Sequence, residues 1–152
     1  MRILFRLTWL KSSRSVQSAF KSVHSYSLFT EYINRISKFS SCQTSGVISS
    51  RESQKSGTTI WICDQSPGSV TLSSDDLAGK VQKLLNSGTR ELAILIGGSD
   101  GFSKEELGRL KPNFKWSFGP LTFPHELAAV IASEQIYRAF TILQHLPYHS
   151  GH

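Results

Sequence analysis

Three closely spaced glycines follow an apolar run in residues 92–102, which read L-A-I-L-I-G-G-S-D-G-F. Glycine lacks a Cβ atom and adopts positive φ angles readily. Gly97 and Gly98 therefore allow the backbone to lie close to a bound molecule, and Gly101 allows the chain to turn back into a helix. A pocket for an adenosine-like group is one chemistry that this pattern favours. A tight turn between a strand and a helix, with nothing bound, is the other interpretation.

The glycine pattern differs from two common nucleotide-binding motifs. The sequence G-G-x-x-G lacks the first glycine of the dinucleotide fingerprint, and the next predicted strand has no acidic residue at its end to bind ribose hydroxyls. A nicotinamide cofactor is therefore not expected. No lysine stands where the Walker phosphate-binding motif requires one.

Glu134 and Arg138 are a second candidate pair, because they are four residues apart in a predicted helix. This spacing suits a simple ion pair on an exposed helix face. In the other interpretation Arg138 faces a phosphate or a ligand. Cys42 and Cys63 are far apart, and Cys63 lies in the apolar run T-T-I-W-I-C, where a thiol behaves as a small hydrophobic group. Neither a disulfide scaffold nor a zinc site is expected, and no metal is predicted.

The first 57 residues predict a strand, a helix and a weakly patterned segment. Residues 1–10 predict the strand, and the helix runs to about Lys38 because apolar residues recur at three- and four-residue spacing. These apolar residues are Phe29, Tyr32, Ile33 and Ile36. Residues 40–57 predict a loop or a poor edge strand, with a weak apolar core only at Val47 and Ile48.

Strands and helices alternate from residue 58 onward. The predicted strands are 58–63, 92–96 and 114–118, and the predicted helices begin at Ser73 or Ser74, Ser103 and Pro124. Asp75 and Asp76 suit the positive end of the first of these helices, and Ser103 and Glu106 have the spacing of a capping box. The first helix ends near Asn86 and carries an apolar stripe of Leu77, Val81, Leu84 and Leu85.

This alternation predicts an α/β fold with a mostly parallel sheet and helices on both faces. In such sheets, ligands bind beyond the carboxyl ends of the strands. The candidate site is therefore made of the loops 64–72, 97–102 and 119–123. The last helix is apolar around much of its circumference, so we expect it to be buried on two fronts, for instance against its own sheet and against a second subunit.

Length and charge narrow the class of protein. The 152 residues are enough for one domain with its own core, and the net charge of +6 favours an acidic partner such as nucleic acid or a membrane surface. No apolar stretch is long enough to cross a bilayer, so a membrane protein is not expected.

The first 30 residues contain five basic residues and no acidic residue. The five are Arg2, Arg6, Lys11, Arg14 and Lys21. An organellar transit peptide has this composition. We favour a strand followed by a helix, because the helical period continues past Glu31 without a boundary that looks like a cleavage site.

The order and spacing of several motifs resemble one known family. The motifs are L-I-G-G-S-D-G-F-S, W-S-F-G-P-L-T-F-P-H, S-E-Q-I-Y-R-A-F-T-I-L and P-Y-H, with a looser match in F-T-E-Y-I-N-R-I. Together they resemble the bacterial large-subunit rRNA pseudouridine N3-methyltransferases, of the SPOUT class of methyltransferases. The resemblance is close over residues 60–149.

The resemblance implies a fold, a cofactor and a reaction. Members have an α/β sheet with a C-terminal trefoil knot, act as cytoplasmic homodimers, and bind S-adenosylmethionine, which is converted to S-adenosylhomocysteine. They methylate N3 of a pseudouridine in the helix 69 loop of 23S rRNA, and they need no metal. The chain would then be a single domain, 1–152, with a less typical part at 1–57 and a cofactor-binding knot region at 58–149. An organellar location is the alternative if the basic N-terminal stretch is a transit peptide.

The resemblance also implies the site residues. Cofactor contacts would fall on Cys63, Gly98, Gly119, Pro120, Leu121, Thr122, Phe123 and Pro124. His149, Arg138 and Tyr148 would be catalytic, and His125 is a further candidate for RNA contact or proton removal. The alternative is that His125 only caps its helix, while Tyr148 and His149 only pack over the dimer interface.

Two departures from the family pattern affect cations near the site. Members commonly have an arginine where this chain has Ala129, and a lysine or arginine after the final Tyr-His, where it has Ser150, Gly151 and His152. Each lost cation lowers the salt-dependent part of RNA affinity. A second hypothesis is therefore a divergent relative that binds RNA or ribosomes, with methyl transfer weakened or lost.

Overall fold

The computed structural model describes residues 1–46 and 55–150. The strands are β1 (Arg2–Leu7), β2 (Cys42–Ser45), β3 (Thr58–Cys63), β4 (Val70–Thr71), β5 (Glu91–Ile96) and β6 (Phe114–Ser117). The α-helices are α1 (Val23–Ile36), α2 (Ser74–Asn86), α3 (Lys104–Leu110) and α4 (His125–Leu143), and a short 3-10 helix spans Val16–Ala19. The weak apolar core predicted at Val47 and Ile48 lies outside the described residues.

The described strands form one six-stranded sheet in the order β2-β1-β5-β3-β6-β4, and every neighbouring pair is parallel. β5 lies between β1 and β3, and its residues 92–96 are all buried. This position explains the continuous apolar run, because a central parallel strand is covered on both faces. The predicted α/β class with a parallel sheet is confirmed.

Local sequence rules account for the helix starts. The Ser22 and Ser73 hydroxyls accept hydrogen bonds from the backbone N–H groups of Ser25 and Asp76, so they cap α1 and α2. Ser103 and Glu106 form the complete capping box predicted for α3. Pro124 is the N-cap of α4 and not its first helical residue, since its ψ of 143° is extended.

The helices cover the two faces of the sheet unequally. Helices α1, α2 and α4 contribute to the larger core, together with Ile3, Phe5 and Trp61 of the sheet. The smaller core on the other side contains Ile60, Ile62, Ala93, Leu95 and Leu110, against which Phe102 and Leu107 pack. Helices therefore lie on both faces, as predicted, but among the helices of the described residues only the short α3 contributes to the second core.

Helix α4 is buried on two fronts, and both of them lie within one chain. It packs against α1 and against α2, and Ala129, Ala132, Ile136 and Ala139 have no exposed surface. Three of these four buried residues are alanines, whose small side chains suit a helix that packs on two sides. These contacts within one chain account for the apolar circumference of α4, so that circumference by itself does not indicate a second subunit.

Candidate functional site

A cavity of about 590 Å³ lies where β3, β5 and β6 end. This is the edge at which parallel α/β sheets bind ligands, and the volume is that of a typical small-molecule site. Its walls are the segments after the three strands and the first turn of α4. The lining residues are Cys63, Asp64, Gln65, Ile96, Gly97, Gly98, Ser99, Asp100, Gly101, Trp116, Phe118, Thr122, Phe123, Pro124, His125 and Ala128. All three loops predicted from the sequence contribute to it.

The three glycines after β5 have different roles. A Cβ atom at Gly97 would lie 3.1 Å from both the Gly101 Cα atom and the Phe102 ring, so the close return of the chain requires glycine there. Gly101 has a φ of +68° and donates its N–H to the Gly98 carbonyl oxygen at 3.0 Å, which closes the turn. A Cβ atom at Gly98 would meet only the Trp9 Cβ atom, at 3.8 Å. The turn therefore requires Gly97, while Gly98 lies bare on the cavity wall.

The loop between β6 and α4 is fixed by hydrogen bonds from two side chains. The Gln65 amide donates to the carbonyl oxygens of Gly119, at 3.1 Å, and of Leu121. The Gly119 N–H donates to the Ser117 hydroxyl at 3.1 Å, and Gly119 has a φ of +99°. Glycine is suited to that conformation because it has no side chain to clash with the backbone.

Five of the eight predicted cofactor residues line the cavity, and three do not. Cys63, Gly98, Thr122, Phe123 and Pro124 are in the lining. Gly119, Pro120 and Leu121 are outside it: Gly119 and Leu121 offer carbonyl oxygens to Gln65, and the Leu121 side chain is 65% exposed. Gln65, Asp100 and Trp116 line the cavity and were not singled out from the sequence.

The lining combines aromatic rings with carboxylates. Trp116 and Phe118 have ring centroids 4.9 Å apart in an edge-to-face arrangement, and Phe123 follows at 6.5 Å from Phe118. Asp64 and Asp100 contribute the carboxylates, and the Ser66 hydroxyl donates to Asp64. Aromatic walls suit a purine ring, and carboxylates suit hydroxyl groups and positive charge. The cavity can therefore hold a nucleoside that carries a cationic group.

The Cys63 thiol stays protonated in this cavity. Burial, with a smaller contribution from the Asp64 carboxylate, raises the pKa of Cys63 far above the range of a reactive thiol. Nucleophilic attack requires the thiolate. Cys63 is therefore suited to contact with a ligand and not to covalent catalysis.

His125 lies in the cavity wall and is held by the segment after β1. Its ring is 4.4 Å from the Trp9 ring in an edge-to-face contact. The Trp9 indole N–H donates to the Ala19 carbonyl oxygen at 2.7 Å, and the Glu126 carboxylate accepts from the Ser22 N–H at 3.1 Å. The first turn of α4 is thus fastened to the N-terminal part of the chain at two points.

The three residues predicted to be catalytic, Arg138, Tyr148 and His149, lie together in a second place. With Glu134 they form a group that we call the C-terminal cluster. Arg138 forms an ion pair with Glu134 at 2.6 Å, and its guanidinium lies 3.1 Å from the His149 Nδ1 atom and 4.8 Å from the centre of the Tyr148 ring. The Tyr148 hydroxyl donates to Glu134 at 2.9 Å. Glu134 and Arg138 therefore form the predicted ion pair. The pair is not exposed, since the two side chains are only 18% and 14% accessible.

The environment of Tyr148 keeps its hydroxyl protonated. Burial, and then its hydrogen bonds with Tyr32 and Glu134, raise the pKa of Tyr148 well above its usual value. Tyr148 is therefore a hydrogen-bond donor in this cluster and not a base. His149 approaches the Asp75 carboxylate of α2 at 3.8 Å on its other side.

The C-terminal cluster does not line the cavity. His125 and Arg138 are 13 residues apart on the same helix, and at a rise of about 1.5 Å per residue they are separated by about 20 Å along its axis. Each chain therefore has two separate candidate functional sites, the cavity and the C-terminal cluster.

Neither a metal-binding cluster nor a membrane-spanning helix occurs among the described residues. No group of three or more His, Cys, Asp or Glu side chains is arranged to bind a metal ion among residues 1–46 and 55–150. Within the same part of the chain, no helix is long and apolar enough to cross a membrane.

The fold and the cavity define the class as a ligand-binding α/β protein with its site at the carboxyl ends of parallel strands. A family model described as a predicted SPOUT methyltransferase matches residues 16–149, so the chain belongs to the SPOUT methyltransferase family. The family resemblance of the sequence motifs is thereby confirmed.

Curated relatives share the name Ribosomal RNA large subunit methyltransferase H. The protein of Psychrobacter sp. (strain PRwf-1) is 41% identical over 92 residues, which are 60% of this chain and 54% of that protein. The protein of Alkaliphilus oremlandii (strain OhILAs) is 46% identical over 78 residues, 51% of this chain and 48% of that protein. The chain spans about half the length of these curated relatives.

A solved structure shows a weaker likeness. The methyltransferase Lpg2936 of Legionella pneumophila, described as holding the cofactor SAM, has a TM-score of 0.46 and 16% identity, covering 91% of this chain and 66% of its own.

Proposed function

We propose that this protein transfers a methyl group from S-adenosylmethionine to large-subunit rRNA, at N3 of a pseudouridine in the helix 69 loop of 23S rRNA. The observation that carries the proposal is the cavity of about 590 Å³ at the ends of β3, β5 and β6, in a chain of the SPOUT methyltransferase family. The name of the relatives supports large-subunit rRNA as the substrate, and the motif resemblance alone supports the target nucleotide.

The residues of the cavity fit S-adenosylmethionine. The bare backbone at Gly98 and the rings of Trp116 and Phe118 suit the adenosine part. Asp64 and Asp100 suit the ribose hydroxyls and the positive charges of the amine and the sulfonium. When bound, the cofactor supplies an electrophilic methyl group and leaves as S-adenosylhomocysteine.

The protein's own part is to align the base and to take up its N3 proton. Alignment alone supplies a large share of the rate in a transfer of this kind. His125 lies in the cavity wall of the same chain, and His149 lies in the C-terminal cluster. Histidine is the side chain that most often moves protons in enzymes, so these two imidazoles are the candidates for taking up the N3 proton.

We propose that the protein is a homodimer in which the C-terminal cluster of one copy reaches the cavity of the other. The roles proposed for Arg138, Tyr148 and His149 require this, because Arg138 lies ten residues, about 15 Å of helix, beyond Ala128, the last residue of α4 in the cavity lining. Leu127 and Leu121 support a dimer, since they are large apolar side chains, 40% and 65% exposed, on α4 and the loop before it. The proposal includes the family's trefoil knot, within the region 58–149 of a single domain.

The second candidate function is RNA or ribosome binding with weakened methyl transfer. The observation that favours it is Ala129, which has no exposed surface and stands where members of the family commonly have an arginine. The chain thus has a buried methyl group in place of a cation. Ser150 likewise stands where members have a basic residue.

One experiment separates the two candidates. The protein is incubated with labelled S-adenosylmethionine and ribosomes that lack the modification, and the methyl group is mapped by mass spectrometry. We expect one methyl group, on the helix 69 pseudouridine. Calorimetry with S-adenosylmethionine and S-adenosylhomocysteine is the companion measurement: absence of binding to a folded protein that still binds ribosomes would favour the second candidate.

A further inference from the structure

We propose that the segment between β1 and α1, residues 8–22, is a phosphate-binding surface that holds the RNA substrate beside the cofactor cavity. We call it the basic loop. The inference rests on the proposed function in one respect, that the substrate is RNA. It adds a substrate-binding surface to the three loops that form the cavity.

The basic loop begins at the same edge of the sheet as the cavity. β1 lies beside β5 with Leu7 opposite Ile96, and the Thr8 N–H donates to the Ile96 carbonyl oxygen at 3.1 Å. The loop therefore leaves the sheet at the point where the glycine turn begins. The Trp9 Cβ atom lies 3.8 Å from the position of a Cβ atom at Gly98.

Both ends of the basic loop are fastened to the helix turn that lines the cavity. At one end Trp9 packs against His125 with ring centroids 4.4 Å apart, and at the other the Ser22 N–H donates to Glu126 at 3.1 Å. Between them the Trp9 indole N–H bonds to the Ala19 carbonyl oxygen, and Ala19 is buried. These contacts order the loop before a partner binds, which lowers the entropic cost of binding.

The exposed side chains of the basic loop are cationic. Lys11, Arg14 and Lys21 are exposed, and no acidic residue occurs in the first 30 residues. Among the described residues, no carboxylate forms an ion pair with any of the three. Cations without a protein counter-ion are the groups that exchange bound salt ions for phosphates.

The cavity itself has the opposite charge. Asp64 and Asp100 line it, and they repel the phosphates of an RNA that approaches the bound cofactor. The RNA backbone must therefore be held outside the cavity while a base enters. The basic loop supplies cations in the segment that leaves the sheet beside the glycine turn and that is not part of the cavity lining.

RNA is a better match to the basic loop than a lipid surface. Between the cations the exposed residues are Ser12, Ser13, Ser15, Gln17 and Ser18, which offer hydrogen bonds to phosphate and ribose. A membrane-binding segment would instead present large apolar side chains beside its cations. Within residues 8–22, Leu10 and Phe20 are buried in the core, and Trp9 and Val16 are half-buried against it. The exposed Val23 begins α1 and lies outside the loop.

The test uses two triple variants with the same change in charge. The loop variant is Lys11→Ala, Arg14→Ala and Lys21→Ala. The control variant is Lys38→Ala, Lys83→Ala and Lys111→Ala, three exposed cations that precede β2, β5 and β6 and so lie at the opposite edge of the sheet. The probe is a fluorescent RNA hairpin with the helix 69 loop sequence, titrated over a series of salt concentrations.

We expect the loop variant to bind the hairpin about 10- to 100-fold more weakly at low salt, with a salt slope reduced by about 2 to 3. The control variant loses the same net charge, so its loss of affinity measures the general effect of net charge. We expect that loss to be within about twofold of the unchanged protein. Calorimetry with S-adenosylhomocysteine should give the same affinity for all three proteins.

Each other outcome identifies what has failed. Equal losses in the loop and control variants would overturn the basic loop as the RNA surface. Loss of binding to vesicles of anionic lipid, with hairpin binding unchanged, would assign the loop to a membrane and overturn the inference too. If the unchanged protein did not bind the hairpin, the proposed function would fail first and the inference with it.

Discussion

The Gln65 side-chain amide donates a hydrogen bond of 3.1 Å to the carbonyl oxygen of Gly119. The two residues belong to different loops of the site, one after β3 and one after β6. The same amide also bonds to the Leu121 carbonyl oxygen, so one side chain fixes the direction of the whole segment 119–123. The shape of the cavity therefore depends on hydrogen bonds between two of its loops and not only on the residues that would contact the cofactor.

Gln65→Ala should weaken the binding of S-adenosylhomocysteine by about 2- to 10-fold, the usual effect of losing such hydrogen bonds. Gln65 is exposed, so the free energy of unfolding should change by less than about 0.5 kcal/mol. Calorimetry and thermal unfolding measure the two effects. Gln82→Ala is the matched control, because it removes an exposed bond to Asn86 on α2, outside the cavity lining. Equal affinities for both variants would contradict the role of Gln65.

Local rules predicted much of this fold. β3 has the bounds read from T-T-I-W-I-C, and the capping box at Ser103 starts α3 as its spacing indicates. These features depend on neighbouring residues alone. β4 was not predicted, because two exposed residues, Val70 and Thr71, are too few to show a period.

The site was only partly predictable, since it depends on contacts between distant parts of the chain. The strand-end rule selects the loops that contribute to the cavity, because it needs only the order of the strands. The bond from Gln65 to Gly119 joins residues 54 apart, and no pattern in either loop indicates it. The separation of Arg138 from the cavity follows from the length of α4. It cannot be predicted from the sequence until the cavity is known to lie at the first turn of α4.

The two adjacent glycines after β5 should respond differently to substitution. Gly97→Ala should lower the free energy of unfolding by about 1 to 3 kcal/mol, because its Cβ atom would crowd Gly101 and Phe102. Gly98→Ala should be stable, since it meets only the Trp9 Cβ atom at 3.8 Å. The larger Gly98→Val should fold but bind S-adenosylhomocysteine at least about tenfold more weakly. Normal binding by a folded Gly98→Val protein would show that this wall does not contact the cofactor.

The raised pKa of Tyr148 predicts a dependence of stability on alkaline pH. Burial and the bonds with Tyr32 and Glu134 favour the protonated phenol in the folded state. Its contribution is therefore fully present below the ordinary tyrosine pKa of about 10, and is lost as pH rises from there toward the higher folded-state pKa. Tyr148→Phe should cost about 1 kcal/mol at neutral pH, and the difference from the unchanged protein should shrink above about pH 10.

Urea unfolding at a series of pH values measures this difference. Tyr26→Phe is the control, because the Tyr26 ring packs against Phe20 and lies outside the C-terminal cluster. A constant difference between Tyr148→Phe and the unchanged protein up to about pH 11 would mean that the Tyr148 phenol is not held in its protonated form.

The proposed homodimer predicts that two inactive variants restore activity when they pair with each other. Gly98→Val should inactivate the cavity, and Arg138→Ala should inactivate the C-terminal cluster, so each variant alone should have little activity. In a mixed dimer, the cavity of the Arg138→Ala copy meets the intact cluster of the Gly98→Val copy. Random pairing of equal amounts should therefore restore about a quarter of the sites.

If the cluster acted on the cavity of its own chain, every site in the mixture would carry a defect and no activity would return. The measurement is methyl incorporation after the two variants have been unfolded, mixed and refolded together, with each variant refolded separately as the control. Recovery in the mixture alone would show that the C-terminal cluster acts on the cavity of a second copy. Its absence from a mixture that forms dimers would contradict the proposed arrangement.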